Sequence, residues 1–167
     1  MFIAIAKLFK NLFALRPGRL ADYFWALLGP ILVVTLPWSI IDTLVEAPAE
    51  RPLPIGLERI YDVISGPHTP AFYAVLMSVC VVGPILEELI FRGVFWRFLE
   101  KFINKHYAFF LTSIFFAYSH IDPIHIVGVM PIGIYIGWLR LKSDSIFPPI
   151  VAHIANNTFV SLSIVAF

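Results

Sequence analysis

The chain has 167 residues, of which 59% are hydrophobic and only 14% charged, with a formal net charge of +1 and a mean hydropathy of +0.85. A soluble domain carries about 25% charged residues, so this composition is that of an integral membrane protein. The near-zero charge, with no phosphate-tracking basic cluster, excludes nucleic acid as a partner. The single cysteine, Cys80, excludes an internal disulfide and a cysteine-based metal site, and reads as a small buried hydrophobe.

In chain order, Phe2, Ile5, Phe9, Leu12 and Phe13 share one helical face, with Lys7 and Lys10 off it. That pattern predicts an amphipathic helix over 1–19 lying in the membrane interface. The positive charges are scattered and no small-residue cleavage site follows, so the segment is expected to stay in the mature protein rather than be removed as a signal peptide. A bilayer core takes about 20 apolar residues per helix. Candidate spans are 20–41, 69–102, 106–121, 125–141 and 146–166. Between the first two, 42–68 is rich in proline and acids and predicts an extramembrane loop with a short amphipathic helix around 56–64.

The expected fold is therefore an all-α polytopic bundle of about five transmembrane helices plus the interfacial helix. It divides into 1–19, a first span with its acidic loop over 20–68, and a core over 69–167. Basic residues collect in the N-terminal segment, in 97–105 and in 140–142, whereas the 42–68 loop holds five acids against two arginines. By the positive-inside rule the N-terminus is cytoplasmic. Within the fourth span, Gly133 and Gly137 form a small-xxx-small spacing that predicts close helix packing, with Gly128 extending the face. Pro84 lacks a backbone donor and is expected to loosen its helix one turn before Glu87.

Ionisable groups inside a span are costly, face the bundle interior and mark function. Here they are Glu87, Glu88, Arg92, His120 and His153, joined by Asn156 and Asn157. Glu88 and Arg92 stand at i and i+4 with the acid first, the favourable order for a helical ion pair. Glu87 is rotated about 100° away and is the free carboxylate. A structural knot in which both glutamates share Arg92 is the bland alternative. His153 and Asn157 again stand at i and i+4, presenting an imidazole and an amide on one face. At about 1.5 Å per residue, three helices bring these groups to one layer inside the membrane.

The stretches "EELIFRG", "FAYSH" and "HIANN", in that order, resemble the EExxxR, FxxxH and HxxxN motifs of the CPBP family. That family holds the type II CAAX prenyl endopeptidases and bacterial Abi-type relatives linked to bacteriocin processing and self-immunity. The resemblance covers roughly 69–166 and implies an intramembrane endopeptidase acting on a membrane-associated protein or peptide. It further implies that Glu87 and His120 activate a water, that His153 and Asn157 form the oxyanion hole, and that Glu88 and Arg92 are a structural pair. No cofactor is required in that version. The older metalloprotease reading of the family would have Glu87, His120 and His153 ligate Zn²⁺; no HExxH helix accompanies them, and the metal-free version is preferred. Competing expectations are a non-catalytic scaffold, immunity factor or accessory subunit in a membrane-protein complex, and an ion carrier. Against the carrier stands the lack of an inverted repeat. A bacterial inner membrane is the expected location.

Overall fold

The computed structural model describes residues 13–37, 40 and 58–166. All regular structure among them is helical. Helix α1 (Leu20–Thr35) opens where the Arg19 amide donates to Asp22 Oδ2 at 3.1 Å. Beyond Pro30 it widens into i→i+5 (π) turns over Ile31–Thr35. Helix α2 (Glu58–Ile64) matches the short helix expected in the acidic loop. Helix α3 (Pro70–Leu99) starts at Thr69, whose Oγ1 accepts the Phe72 amide at 3.3 Å, with Pro70 at the first helical position, where its missing N–H costs nothing. Helix α4 (Lys105–Tyr118) is capped by Asn104 Oδ1, which accepts from His106 and Tyr107. Helix α5 (Pro123–Ser143) follows a break at Ile121, whose φ is 64°. Helix α6 (Phe147–Ala166) follows Asp144, with φ 48°.

Two cores fix these helices. Ala26 and Val34 of α1 meet Ile132, Ile136 and Leu139 of α5 and Ala152 of α6. Trp96 of α3 packs on Ala108 and Phe109 of α4. Helix α3 and residues His125–Ser143 of α5 are long and apolar enough to cross a membrane. The core helix of a soluble protein would be mostly buried, yet only 17% of the most apolar stretch of α3 is. Tyr73, Met77, Leu86, Ile90, Val94 and Phe98 remain exposed along it, and so long an apolar face is a surface for lipid or a membrane partner. The protein is an integral membrane protein.

The interfacial helix expected over 1–19 lies largely outside the described residues. Its last part departs from the expectation: Phe13 and Ala14 make a turn and 15–19 have no regular structure. Ala14 has φ 47°, and Pro17 with Gly18 interrupts any helical run before α1. The chain there is pinned to the far end of α5, where Ser145 Oγ donates to Arg16 O and the Ile146 amide donates to Ala14 O at 3.3 Å.

Pro84 acts as expected. Immediately before it, Ser78–Val82 is a π segment, and the Gly83 amide reaches back five residues to Ser78 O. A second π segment, Leu89–Phe95, starts right after Glu88. The glycine spacing in α5 is a packing device for two of its three members. A Cβ on Gly133 would lie 2.8 Å from Phe116 Cδ1, and one on Gly137 2.5 Å from Ser113 Oγ, both on α4. Gly128 departs from that expectation: no side chain or backbone comes within 4 Å of its missing Cβ, because it borders a cavity.

Candidate active site

The middle of α3 carries Glu87, Glu88 and Arg92 toward α4, α5 and α6. Glu88 and Arg92 are fully buried, and Arg92 Nη1 donates to Glu88 Oε1 at 3.0 Å. Burying either charge alone would cost several kcal/mol, on the order of 3–5 when a partner is lost. Arg92 also holds the bundle: Nη2 donates to Gly133 O at 2.7 Å, and the guanidinium lies 4.4 Å over the Phe116 ring. The absent Gly133 side chain lets α5 bring that carbonyl within reach. The pair thus ties α3 to α4 and α5.

Glu88 has a second partner that the chain order concealed. His153 of α6 places Nδ1 3.0 Å from the same Oε1. A carboxylate paired with arginine only accepts, so the Nδ1 proton is assigned to this bond. The other ring nitrogen, Nε2, then faces Glu87, whose Oε2 is 3.7 Å away. His153 is buried, while the Glu87 side chain keeps 38% of its surface. Two adjacent glutamates therefore play different parts: one is locked in the packing and orients an imidazole, the other meets that imidazole from an open cavity.

The cavity has a volume of about 600 Å³, within the ~300–1,000 Å³ of sites that take small ligands. Its polar lining comes from Ser78, Glu87, His125, Asn156, Asn157 and Ser161. Asn157 is held in place: its Nδ2 donates to Val79 O at 3.0 Å, a carbonyl of the π segment, and its Oδ1 accepts from Asn156 at 3.2 Å. Its second N–H has no hydrogen-bond partner among the described residues.

His120 sits at the end of α4 with Nδ1 3.0 Å from Phe116 O. A carbonyl can only accept, so Nε2 is the unprotonated nitrogen. No ion pair or hydrogen bond joins His120 to Glu87 among the described residues. It connects to the cluster through Phe116, whose ring centroid lies 5.2 Å from that of His120 and 5.4 Å from that of His153. On its other side His120 meets His125 at 4.6 Å, ring edge to face. His125 is thus a cavity residue that the sequence reading did not single out. The signal was present in "HIDPIH", where the break before Pro123 turns α5 back beside the end of α4. Cys80, read from the sequence as a small buried residue, is buried, with its Sγ 3.4 Å from Ser161 Oγ.

A zinc ion on these side chains would need three of them to converge. Among the described residues no three His, Cys, Asp or Glu side chains gather closely enough to hold an ion, so Glu87, His120 and His153 in this arrangement do not form a three-ligand set.

The buried Glu88 and Arg92 of α3, with Glu87 beside them, thus meet His153 of α6, and His120 lies across Phe116 from that cluster. The model of the type II CAAX prenyl endopeptidase Rce1-like family matches residues 69–159, from the cap of α3 to just beyond Asn157, and the chain belongs to that family of proteases. It is 36% identical over 103 residues to YdiL of Bacillus subtilis (strain 168), which bears the name of a membrane peptidase; the match covers 62% of this chain and 40% of YdiL. It is 28% identical over 142 residues to the membrane-embedded CAAX protease MroQ of Staphylococcus aureus (strain USA300), covering 81% of this chain and 56% of MroQ. A third relative is the UPF0177 protein YaiF of Lactococcus lactis subsp. lactis (strain IL1403), 28% identical over 85 residues, half of this chain and 38% of that one. The chain spans about half the length of the curated relatives it matches. No solved structure matches it.

Proposed function

We propose that this protein is an intramembrane endopeptidase that hydrolyses a peptide bond of a membrane-associated protein or peptide. The observation that carries the reading is the Glu87–His153 contact at the edge of a largely apolar cavity. Glu87 is a carboxylate with open surface in an otherwise apolar shell, which suits it to take a proton from a water in the cavity. The resulting hydroxide adds to the substrate carbonyl. The negative charge on that oxygen is met by the free N–H of Asn157, while His153, oriented by Glu88, presents its unprotonated Nε2 beside Glu87 and accepts a hydrogen bond from the water. The proton held by Glu87 then passes to the departing amine as the C–N bond breaks. His120, aligned by Phe116 O, assists the water from the side of His125. None of these steps is routed through a metal, and metal analysis of purified active protein tests that choice.

Five membrane crossings fit this reading, by α1, α3, α4, α5 and α6, with the N-terminus in the cytoplasm of a bacterium. Arg16, Arg97 and Arg140, one from each basic segment, all reach Asp144, at 2.9, 4.0 and 3.1 Å, so the three segments share one end of the bundle, as the positive-inside rule requires. Reporter fusions after Asn104 and after Gly66 should report opposite sides.

The decisive experiment is Glu87→Gln in purified protein, reconstituted in vesicles and offered apolar peptides. The substitution keeps the shape and removes the base, so cleavage should fall by at least 100-fold, the usual contribution of a general base. Cleavage at the wild-type rate would remove Glu87 from the chemistry and the proposal with it.

A further inference from the structure

The cavity that holds Glu87 is completed by a helix outside the family match. Residues 69–159 carry the family resemblance, yet Ile60, Tyr61 and Ile64 of α2 line the same cavity as Glu87 and Asn157. The positions are i, i+1 and i+4, one face of a helix. Glu58, Arg59 and Asp62 are exposed. This short helix packs beside the start of α3. Its end is closed by Ser65, whose amide and Oγ both donate to Tyr61 O at 2.8 Å, and in the link to α3 the His68 ring stacks on Phe72 at 4.4 Å between centroids.

The volume decides what such a wall is for. A hydrolytic water needs ~30 Å³, whereas the cavity offers about 600 Å³. The surplus is walled by aliphatic and aromatic groups. A charged side chain entering there would lose its hydration without a partner from α2, while a large apolar one would bury its surface.

We infer that α2 is the specificity element of this site: Ile60, Tyr61 and Ile64 select a large aliphatic or aromatic side chain on the substrate residue next to the cleaved bond. The inference rests on the endopeptidase reading and names the substrate feature that reading leaves open.

The test uses the full chain in vesicles of phosphatidylethanolamine and phosphatidylglycerol, with a pool of apolar synthetic peptides varied at one position and cleavage sites read by mass spectrometry. Wild type should cut beside Leu, Ile, Phe or Tyr. Ile60→Phe, which fills the cavity, should shift the preference toward Ala or Gly by roughly tenfold or more, and Tyr61→Ala should shift it toward Trp by a similar factor; one methylene in an apolar pocket changes selectivity by ~10–200-fold. Tyr61 is 40% exposed, and Tyr61→Trp, predicted to move the preference the other way, serves if Tyr61→Ala does not fold. Binding of a fluorescent Leu-rich peptide to Glu87→Gln, read by anisotropy in detergent, should weaken about tenfold or more when Ile60→Phe is added.

Unchanged preferences in these variants, with Glu87→Gln inert, overturn the role of α2 and leave the endopeptidase standing. Wild-type cleavage by Glu87→Gln overturns the endopeptidase reading instead. Binding that ignores Ile60→Phe in the inert background overturns the selective wall whatever the cleavage result.

Discussion

His153 Nδ1 and Arg92 Nη1 converge on one oxygen, Oε1 of Glu88, each at 3.0 Å. The buried ion pair and the imidazole that faces Glu87 are therefore one unit, and Glu88 sets which ring nitrogen carries the proton. Glu88→Gln keeps the volume but can offer an N–H to Nδ1, which would move the proton to Nε2 and turn the ring's donor toward Glu87. Cleavage should drop by about 10²–10⁴ in kcat with little change in KM, as wrong-tautomer substitutions do elsewhere. The ¹⁵N shifts of His153 should report the change of tautomer. An unchanged tautomer with full kcat would reduce Glu88 to packing.

Arg92 is buried with a fork of contacts on α3, α4 and α5. Removing it leaves Glu88 charged in a dry interior. Arg92→Met should destabilise the protein by about 3–5 kcal/mol, seen as a lower melting temperature in detergent. Arg92→Lys should rescue only part of this. A lysine is a point charge that cannot reach Glu88 Oε1 and Gly133 O as a planar fork.

Much of this was legible in the chain. The i,i+4 order of Glu88 and Arg92 revealed the ion pair, and Pro84 revealed the loosened turn preceding Glu87. The equal depth of the polar groups showed that α3, α4 and α6 share a layer. The rest depended on rotation about helix axes, which spacing alone does not give. That His153 bonds Glu88 and touches Glu87, while His120 is aligned by a carbonyl and reaches His125, follows from how the Phe116 ring fits between Arg92 and the two imidazoles. The wall from α2 was hidden for another reason: a short helix in an acidic loop carries no sign of what it covers.

The two kinds of glycine in α5 separate cleanly. Gly133→Ala should place a methyl 2.8 Å from Phe116 Cδ1, and Phe116 is fully buried under the Arg92 guanidinium. The expected cost is about 1–3 kcal/mol, with cleavage reduced because Phe116 also holds His120. Gly128→Ala meets nothing within 4 Å and should leave stability within about 0.5 kcal/mol. Melting temperatures of the two variants side by side decide the matter; equal losses would contradict the packing described for Gly133.

Asp144 gathers Arg16, Arg97 and Arg140 at the end of α5. Arg140 is almost wholly buried, with its Nε on Arg92 O at 3.2 Å and its guanidinium 5.1 Å from the Trp96 ring. The φ of 48° at Asp144 suits asparagine as well as aspartate, so Asp144→Asn removes charge without backbone strain. Three arginines then face one another with their shared anion gone. The loss should be about 1.5–3 kcal/mol, the range for a hydrogen bond to a charged group. The Arg16 share is solvent-exposed and should shrink in 1 M salt, where screening acts over ~3 Å, while the Arg140 share persists. Thermal unfolding of Asp144→Asn and of Arg16→Gln at low and high salt separates the two. A loss that disappears entirely in salt would mean that Arg140 does not depend on Asp144.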